Sequence, residues 1–383
     1  MRHYLDHNAT APVRPEVIEA VAETMARVGN ASSVHSEGRG VLAIVEDARE
    51  RIRRFINAPV NGLVFTSGGT EAIHYAIHGA VAAGLVKRVF ISAIEHAAVP
   101  ANAATAGVPV ETIPVLQNGV TDTAWLEERL QHDDAACDGG FLVCVMLANN
   151  ETGVIQPVAD IAALVHGAGG LMFVDAAQAV GKIPVNFVML GADMLSFTAH
   201  KFGGPLGVGA LATGPNLSLE AVLRGGGHEM NRRAGTTNAP AIAGLGKACD
   251  LGAAALARAD ELRALRDRME AAVIAEGAHV WGRGADRLPG VLCFSAPGFS
   301  SETQLMALDL AGVAVSSGSA CSSGKVKPSH VLTAMGADDE AASSGVRVSL
   351  GWNSTPADAD AFIDAWLAAY HRVRARMQSK GAA

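Results

Sequence analysis

Lys201 stands near the end of the run SFTAHKFGGP at 196–205, an apolar strand pattern that enters a polar turn and two glycines. An ammonium group is costly to bury, so a lysine just past a strand end points into a cleft rather than a core. There its amine can lose its proton and condense with a carbonyl as a Schiff base. Taken alone, Lys201 also reads as an ordinary surface lysine. Other polar residues at comparable places change that. Ser67-Gly-Gly-Thr-Glu71 lies between a strand pattern and a helix pattern. Uncovered N–H groups at such a helix start, with Gly69 and Thr70 among them, suit a phosphate. The same segment also reads as a tight turn with Thr70 as a helix cap.

His96, Asn150, Asp175, Gln178, Thr198 and His200 likewise follow predicted strands. Pyridoxal phosphate (PLP) needs five kinds of contact, and each has a candidate. Lys201 offers the amine. Asp175, ending an apolar strand, keeps a pyridine nitrogen protonated, which makes the ring an electron sink. Gln178 reaches the phenolic oxygen. Thr70, Thr198, His200 and the N–H groups around Gly69 hold the phosphate, and His96 stacks on the ring and moves protons. Cys321, in SSGSACSSG, lacks the bulky neighbours of a core cysteine, and nearby donors favour its thiolate. Its plain alternative is a small residue in a tight turn. Arg347, on a late strand, is a bidentate clamp for a substrate carboxylate or one half of a surface salt bridge.

The elements that must position these residues alternate. Strands are predicted at 63–66, 88–92, 110–115, 141–147, 171–175, 193–197 and 208–212, with helices at 15–28, 38–57, 72–83, 123–132 and 158–167. That rhythm implies a large, doubly wound, mostly parallel sheet, in which ligands gather beyond the carboxyl ends of the strands. A glycine-rich loop at 225–237 breaks it, and an Ala-rich helical connector at 239–276 follows. The expected division is a large cofactor-binding domain at 14–250 and a small α+β C-terminal domain at 251–383, joined by segment 1–13 and carrying the Cys321 loop. Within the small domain, Ser301 and Gln304 are placed as a capping box, and Thr355 caps a last helix starting at Pro356.

The 383 residues are 49% hydrophobic and 18% charged, with a net charge of −8. No basic run stands out, which argues against direct nucleic-acid binding. No apolar run is long enough for a membrane span, and the N-terminus lacks a signal-peptide core, so a cytoplasmic location is expected. The five cysteines are scattered, without a C-x-x-C pair, which argues against a disulfide framework and a metal site.

In order along nearly the whole chain, the segments YLDHNATAP, GNASSVH, TSGGTEA, EH, NNETG, VDAAQ, TAHKFGGP, GGGHE, RRAGT, SSGSACSSG, PSHVL and VRVSLG resemble the PLP-dependent cysteine desulfurases, the group that includes the nitrogen-fixation and iron–sulfur-cluster enzymes within the class V aminotransferases. The resemblance implies the type I PLP-dependent transferase fold and conversion of L-cysteine to L-alanine. It implies Lys201 as the Schiff-base lysine and His96 as the stacking acid–base residue. Gly69, Thr70, Asp175, Gln178, Thr198 and His200 would hold the cofactor. Thr236 would reach the cofactor phosphate of a partner subunit, which makes a homodimer the expected state. Asn8, Asn150 and Arg347 would hold the substrate. Cys321 would take the sulfur as a persulfide and pass it to an acceptor or scaffold protein, in iron–sulfur cluster assembly or another pathway.

Two residues depart from the family's pattern: His7, where Asn is common, and Trp352, where Arg is common. Neither is assigned to chemistry, and Trp352 is expected at the pocket rim near Arg347. Another class V PLP reaction, selenocysteine cleavage or transamination, is the alternative enzyme; it would make Cys321 dispensable. A silent subunit that only binds a sulfur-transfer partner is the third reading, and retention of both Lys201 and Cys321 argues against it.

Overall fold

The computed structural model describes residues 2–131, 140–317 and 328–381. Seven strands form its main sheet: β1 (Leu63–Thr66), β2 (Val89–Ser92), β3 (Val110–Ile113), β4 (Leu142–Met146), β5 (Leu171–Asp175), β6 (Met194–Thr198) and β7 (Gly209–Thr213). Their spatial order is β1-β7-β6-β5-β4-β2-β3. All run parallel except β7, which is antiparallel to both β1 and β6. The mostly parallel, doubly wound sheet expected from the alternation is therefore present. Strands β1, β4 and β6 are buried throughout, which is why they read as largely apolar runs. Strand β3, at an edge, carries the polar Glu111 and Thr112 instead.

Helices cover both faces. On one, Val41, Val45 and Ile52 of the helix Ser36–Phe55 and Ile242 and Leu245 of Ala239–Leu256 pack with Phe65, Val143 and Leu195. On the other, Ile73, Ala76 and Ile77 of Gly69–Ala82 pack with Val64, Phe173 and Met194. A separate apolar cluster joins Leu5 to Leu265, Met269, Phe294, Val346, Phe362 and Trp366. It surrounds a three-stranded antiparallel sheet of β8 (His279–Val280), β9 (Val291–Ser295) and β10 (Gly345–Ser349). His3–Tyr4 pairs in parallel with Val313–Ala314, tying the N-terminal segment to this later part of the chain.

Two local expectations change, and the last helix starts where expected. The connector is two helices, Ala239–Leu256 and Ala259–Ala275. The break at Arg258 is held by its guanidinium, which donates to the Ser354 carbonyl at 2.7 Å and pairs with Glu261. The helix Ser301–Leu310 is capped by Ser300, whose hydroxyl accepts from the Thr303 N–H. Ser301 is buried instead, and the Gln304 amide turns inward to donate to the Phe299 and Ser344 carbonyls. At the last helix, Pro356–Gly381, Thr355 is held by Asp358, which accepts from both its N–H and its hydroxyl.

Candidate active site

Four parallel strands of the main sheet deliver polar residues to one edge. His96 follows β2, Asn150 follows β4, Asp175 ends β5, and Thr198 ends β6, with His200 and Lys201 in the 3-10 turn Ala199–Lys201 beyond it. Chain order reverses where β4 neighbours β2, and crevices form at such switch points.

The N-terminal segment crosses this edge and binds the group together. Lys201 Nζ donates to the carbonyls of Asn8 (2.8 Å) and Ala9 (2.9 Å). Gln178 Nε2 donates to the same Asn8 carbonyl at 2.9 Å. Asn8 Nδ2 donates to the Asn150 carbonyl at 3.1 Å, and Arg347 Nη1 donates to it at 2.9 Å. Arg347 Nη2 meets Asp6 Oδ1 at 2.7 Å, while its Nε has no partner among the described residues. Arg347 is buried, so it is no surface salt bridge. Lys201, Asn8, Gln178, Asn150 and Arg347 thus form one connected network, although they are far apart in sequence.

Burial lowers the Lys201 pKa to about 8, with the Arg347 charge adding to the effect and Asp6 and Asp175 opposing it. Near neutral pH a usable fraction of the amine is then unprotonated, as a nucleophilic lysine requires. Asp175 is buried and its pKa is raised by desolvation, against the hydrogen bonds that Oδ1 accepts from Ala177 N–H (3.0 Å) and Ser196 Oγ (3.3 Å). His96 Nδ1 accepts from the Ala98 N–H at 3.2 Å, so the neutral ring carries its proton on Nε2. Burial lowers its pKa, with Asp175 opposing.

The helix Gly69–Ala82 begins without a side-chain cap, so Thr70 is not the cap and the first N–H groups stay open. A Cβ added at Gly69 would lie 3.9 Å from Thr198 Cβ, which brings these two candidates together. A Cβ at Gly209 would stand 2.8 Å from the Gly68 carbonyl carbon, so β7 can pass beneath the turn only as glycine. His200 Nδ1 lies 3.3 Å from Thr10 Oγ1. Thr236 is exposed in the loop before Ala239–Leu256, with no hydrogen bond to the group among the described residues. Cys321 lies outside the described residues, as does Cys137. Cys144, Cys249 and Cys293 are buried with thiol pKa values raised by desolvation, as inert core cysteines should be.

Burial and the charges of Lys201 and Lys182 push the His200 pKa down to about 4, from an ordinary 6.5. The folded protein then binds fewer protons than the unfolded chain between these values, so stability is full above pH 6.5 and falls as pH drops toward 4. Urea titrations of cofactor-free protein across this range should show that decline, and His200→Gln should lessen it, leaving the share of His7, whose pKa burial also pushes down to about 4.

Sequence reasoning missed four supporting groups. Lys182, four residues after Gln178, donates to Gln178 Oε1 (2.5 Å) and Asn8 Oδ1 (2.7 Å). Asp6 anchors Arg347. Glu95, beside His96, accepts the Met146 N–H at 2.7 Å and has its pKa raised by burial. Glu151, beside Asn150, accepts from Ser329 Oγ at 2.6 Å, and His330 reaches the Glu95 carbonyl at 3.0 Å. The two glutamates stood within EH and NNETG, next to residues singled out for chemistry. Ser329 also caps the helix His330–Ala334, so Ser329→Ala should cost about 1–3 kcal/mol in urea denaturation by leaving buried Glu151 short of a donor.

The donor set fits PLP. It offers an uncapped helix start beside two hydroxyls for a phosphate, a desolvated carboxylate for a ring nitrogen, and a lysine of lowered pKa for the aldehyde. The Trp352 indole N–H donates to the Pro12 carbonyl at 2.8 Å, and Trp352 lines a cavity together with Lys201.

Comparison with known proteins agrees with this chemistry. The family model described as aminotransferase class-V matches residues 3–362. A cysteine desulfurase of Cereibacter sphaeroides is 41% identical, over 95% of this chain and 94% of its own. An IscS-like cysteine desulfurase of Mycobacterium tuberculosis is 38% identical, over 97% of both chains. The crystal structure of a NifS-like protein from Rickettsia africae superposes with a TM-score of 0.89 at 32% identity, covering 97% of this chain and all of that one.

Proposed function

Because the chain belongs to the class V aminotransferase family, we propose that it is a PLP-dependent cysteine desulfurase, converting L-cysteine to L-alanine and taking the sulfur onto Cys321. The observation that carries this reading is the Lys201–Asn8–Gln178 and Asn8–Asn150–Arg347 network at the strand ends, in a chain that also holds a cysteine within a Ser/Gly-rich run.

When bound, the cofactor supplies a ring that accepts the charge developing at the substrate α-carbon. Asp175 would hold its ring nitrogen, Gln178 its phenolic oxygen, and Gly69, Thr70, Thr198 and His200 its phosphate. Lys201 holds the cofactor through its amine and, once free, carries the α-proton. His96, with its proton on Nε2, faces the same edge as a second acid–base group. Arg347, Asn150 and Asn8 orient the substrate carboxylate. The Cys321 thiolate attacks the substrate sulfur: the Cβ–S bond of cysteine breaks, an S–S bond forms, and alanine leaves with the sulfur retained as a persulfide. Atoms balance as L-cysteine and thiol giving L-alanine and persulfide, with no external oxidant.

A homodimer follows from this reading, with Thr236 turned toward the partner's cofactor. Exposed Val28 (84%), Val34 (87%) and Leu206 (68%) support a covered face. A sulfur-acceptor or scaffold protein completes the cycle. The separate apolar cluster around β8–β10 supports a distinct C-terminal unit, but the helix Ala239–Leu256 runs unbroken across residues 250 and 251 with Leu251 against the main core, so we place the boundary at the break near Arg258.

Replacing Arg347 with lysine removes the bidentate fork and one of the ties to Asp6 or Asn150. We expect KM for L-cysteine to rise about 10–100-fold with kcat less affected, read by alanine formation alongside a melting curve that reports folding. The reading as a whole is tested with purified protein, L-cysteine and a thiol reductant. Alanine and sulfide should appear in equal amounts; a PLP-loaded protein that yields neither would overturn it.

A further inference from the structure

A cavity of about 40 Å³ is lined by His7, Arg14, Lys182, Lys201, Leu350 and Trp352 among others; His96, Asp175 and Thr198 do not border it. Its polar lining is one-sided. Arg14 is 8% exposed, its Nε is buried without a partner, and its guanidinium lies over the Trp352 ring at 4.8 Å. No carboxylate among the described residues pairs with it, and Glu16, which acts on it at longer range, is exposed. Among the described residues Lys182 has only the neutral amide oxygens of Asn8 and Gln178 as acceptors, and burial with the nearby Lys201 and Arg347 charges holds its pKa well below the usual lysine value, Asp6 opposing. His7 is 1% exposed and its Nδ1 is unpartnered. The ring presses on Gly351, where a Cβ would come within 2.0 Å of that nitrogen.

Buried cations without a counter-charge are strongly destabilising, and a buried donor without an acceptor adds to that. The space holds roughly two or three waters or one small ion. Water needs acceptors for its own protons, and the charged side chains lining this cavity offer donors. An anion accepts from all of them and neutralises the excess. His7 and Trp352, the two departures from the family's pattern, meet at this cavity, so the feature belongs to this chain's own residues.

We propose that this cavity binds a chloride-sized monoanion, held by Arg14 and Lys182 with His7 closing one side. The proposal stands independently of the desulfurase reading, since its test needs no turnover. Holoenzyme crystals grown without halide and soaked in sodium bromide should show an anomalous peak in the cavity, within hydrogen-bonding reach of Arg14 and Lys182. Density for water alone, without that peak, overturns the proposal. In solution, bromide should raise the melting temperature above that in sodium gluconate of equal ionic strength. At bromide one hundred times its Kd the folding equilibrium should shift about 100-fold, and Arg14→Met should abolish the difference. An equal bromide effect in wild type and variant also overturns it, and the crystal experiment decides alone if the variant does not fold.

Discussion

Lys201→Ala is expected to abolish turnover, lowering kcat by roughly 10³-fold or more, as loss of a covalent anchor and proton carrier together does. The residue sits in the turn after β6, where the Ser196–Lys201 segment leaves the sheet, and its amine is held by the carbonyls of Asn8 and Ala9. Those bonds are to the N-terminal segment and not to the core, so the fold should survive the truncation. The Lys201 pKa of about 8 provides a second readout. In wild type, cofactor attachment should weaken as pH falls below that value, whereas the variant should hold PLP only non-covalently at every pH. Borohydride reduction distinguishes them: it should fix the cofactor covalently to wild type, and Lys201→Ala should lose all of it on denaturation. A variant that keeps more than about a tenth of wild-type turnover would remove Lys201 from the mechanism.

Cys321→Ala should be the mirror image. The cofactor spectrum and the binding of L-cysteine should persist, because Lys201, Asp175, Gln178 and Arg347 are untouched. Sulfur removal should fall by roughly 10²-fold or more, since a nucleophile has been deleted and water is a poor substitute for a thiolate. Cys144, Cys249 and Cys293 cannot stand in: all three are buried, and desolvation keeps their thiols protonated. Continued alanine production by the variant would shift the assignment to a PLP reaction that leaves Cys321 idle, such as selenocysteine cleavage.

The candidate site was largely legible because a parallel sheet turns sequence position into spatial position. A polar residue directly after an apolar run must emerge at the carboxyl edge, so His96, Asn150, Asp175, Thr198 and Lys201 converge without knowledge of any contact. What escaped were relations that no local window contains. Asp6 meets Arg347 across 341 positions, and nothing near either residue announces the pair. Lys182 carries no local signal of its role, and only the fold aims it at Gln178 and Asn8. Helix starts were ambiguous by one residue wherever two serines stood together, as at Ser300 and Ser301. The glycine-rich loop hid a tighter turn: Glu229, Met230 and Asn231 all adopt left-handed backbone, with φ of 49°, 57° and 64°. Glu229 is fixed there by paired hydrogen bonds from Arg49, each 2.9 Å, and by the Phe65 N–H at 3.0 Å. Such a conformation costs energy in non-glycine residues, and the buried ion pair that holds it lies 180 positions apart in the chain.

The central claim is that sulfur leaves cysteine by moving onto this chain. The direct measurement is the mass of the Cys321 peptide after the PLP-loaded protein meets a limiting amount of L-cysteine without reductant, with alanine quantified in the same sample. A gain of one sulfur atom on Cys321, matched by an equal amount of alanine and absent from Cys321→Ala, is the predicted result. Alanine formed while Cys321 stays unmodified would contradict it.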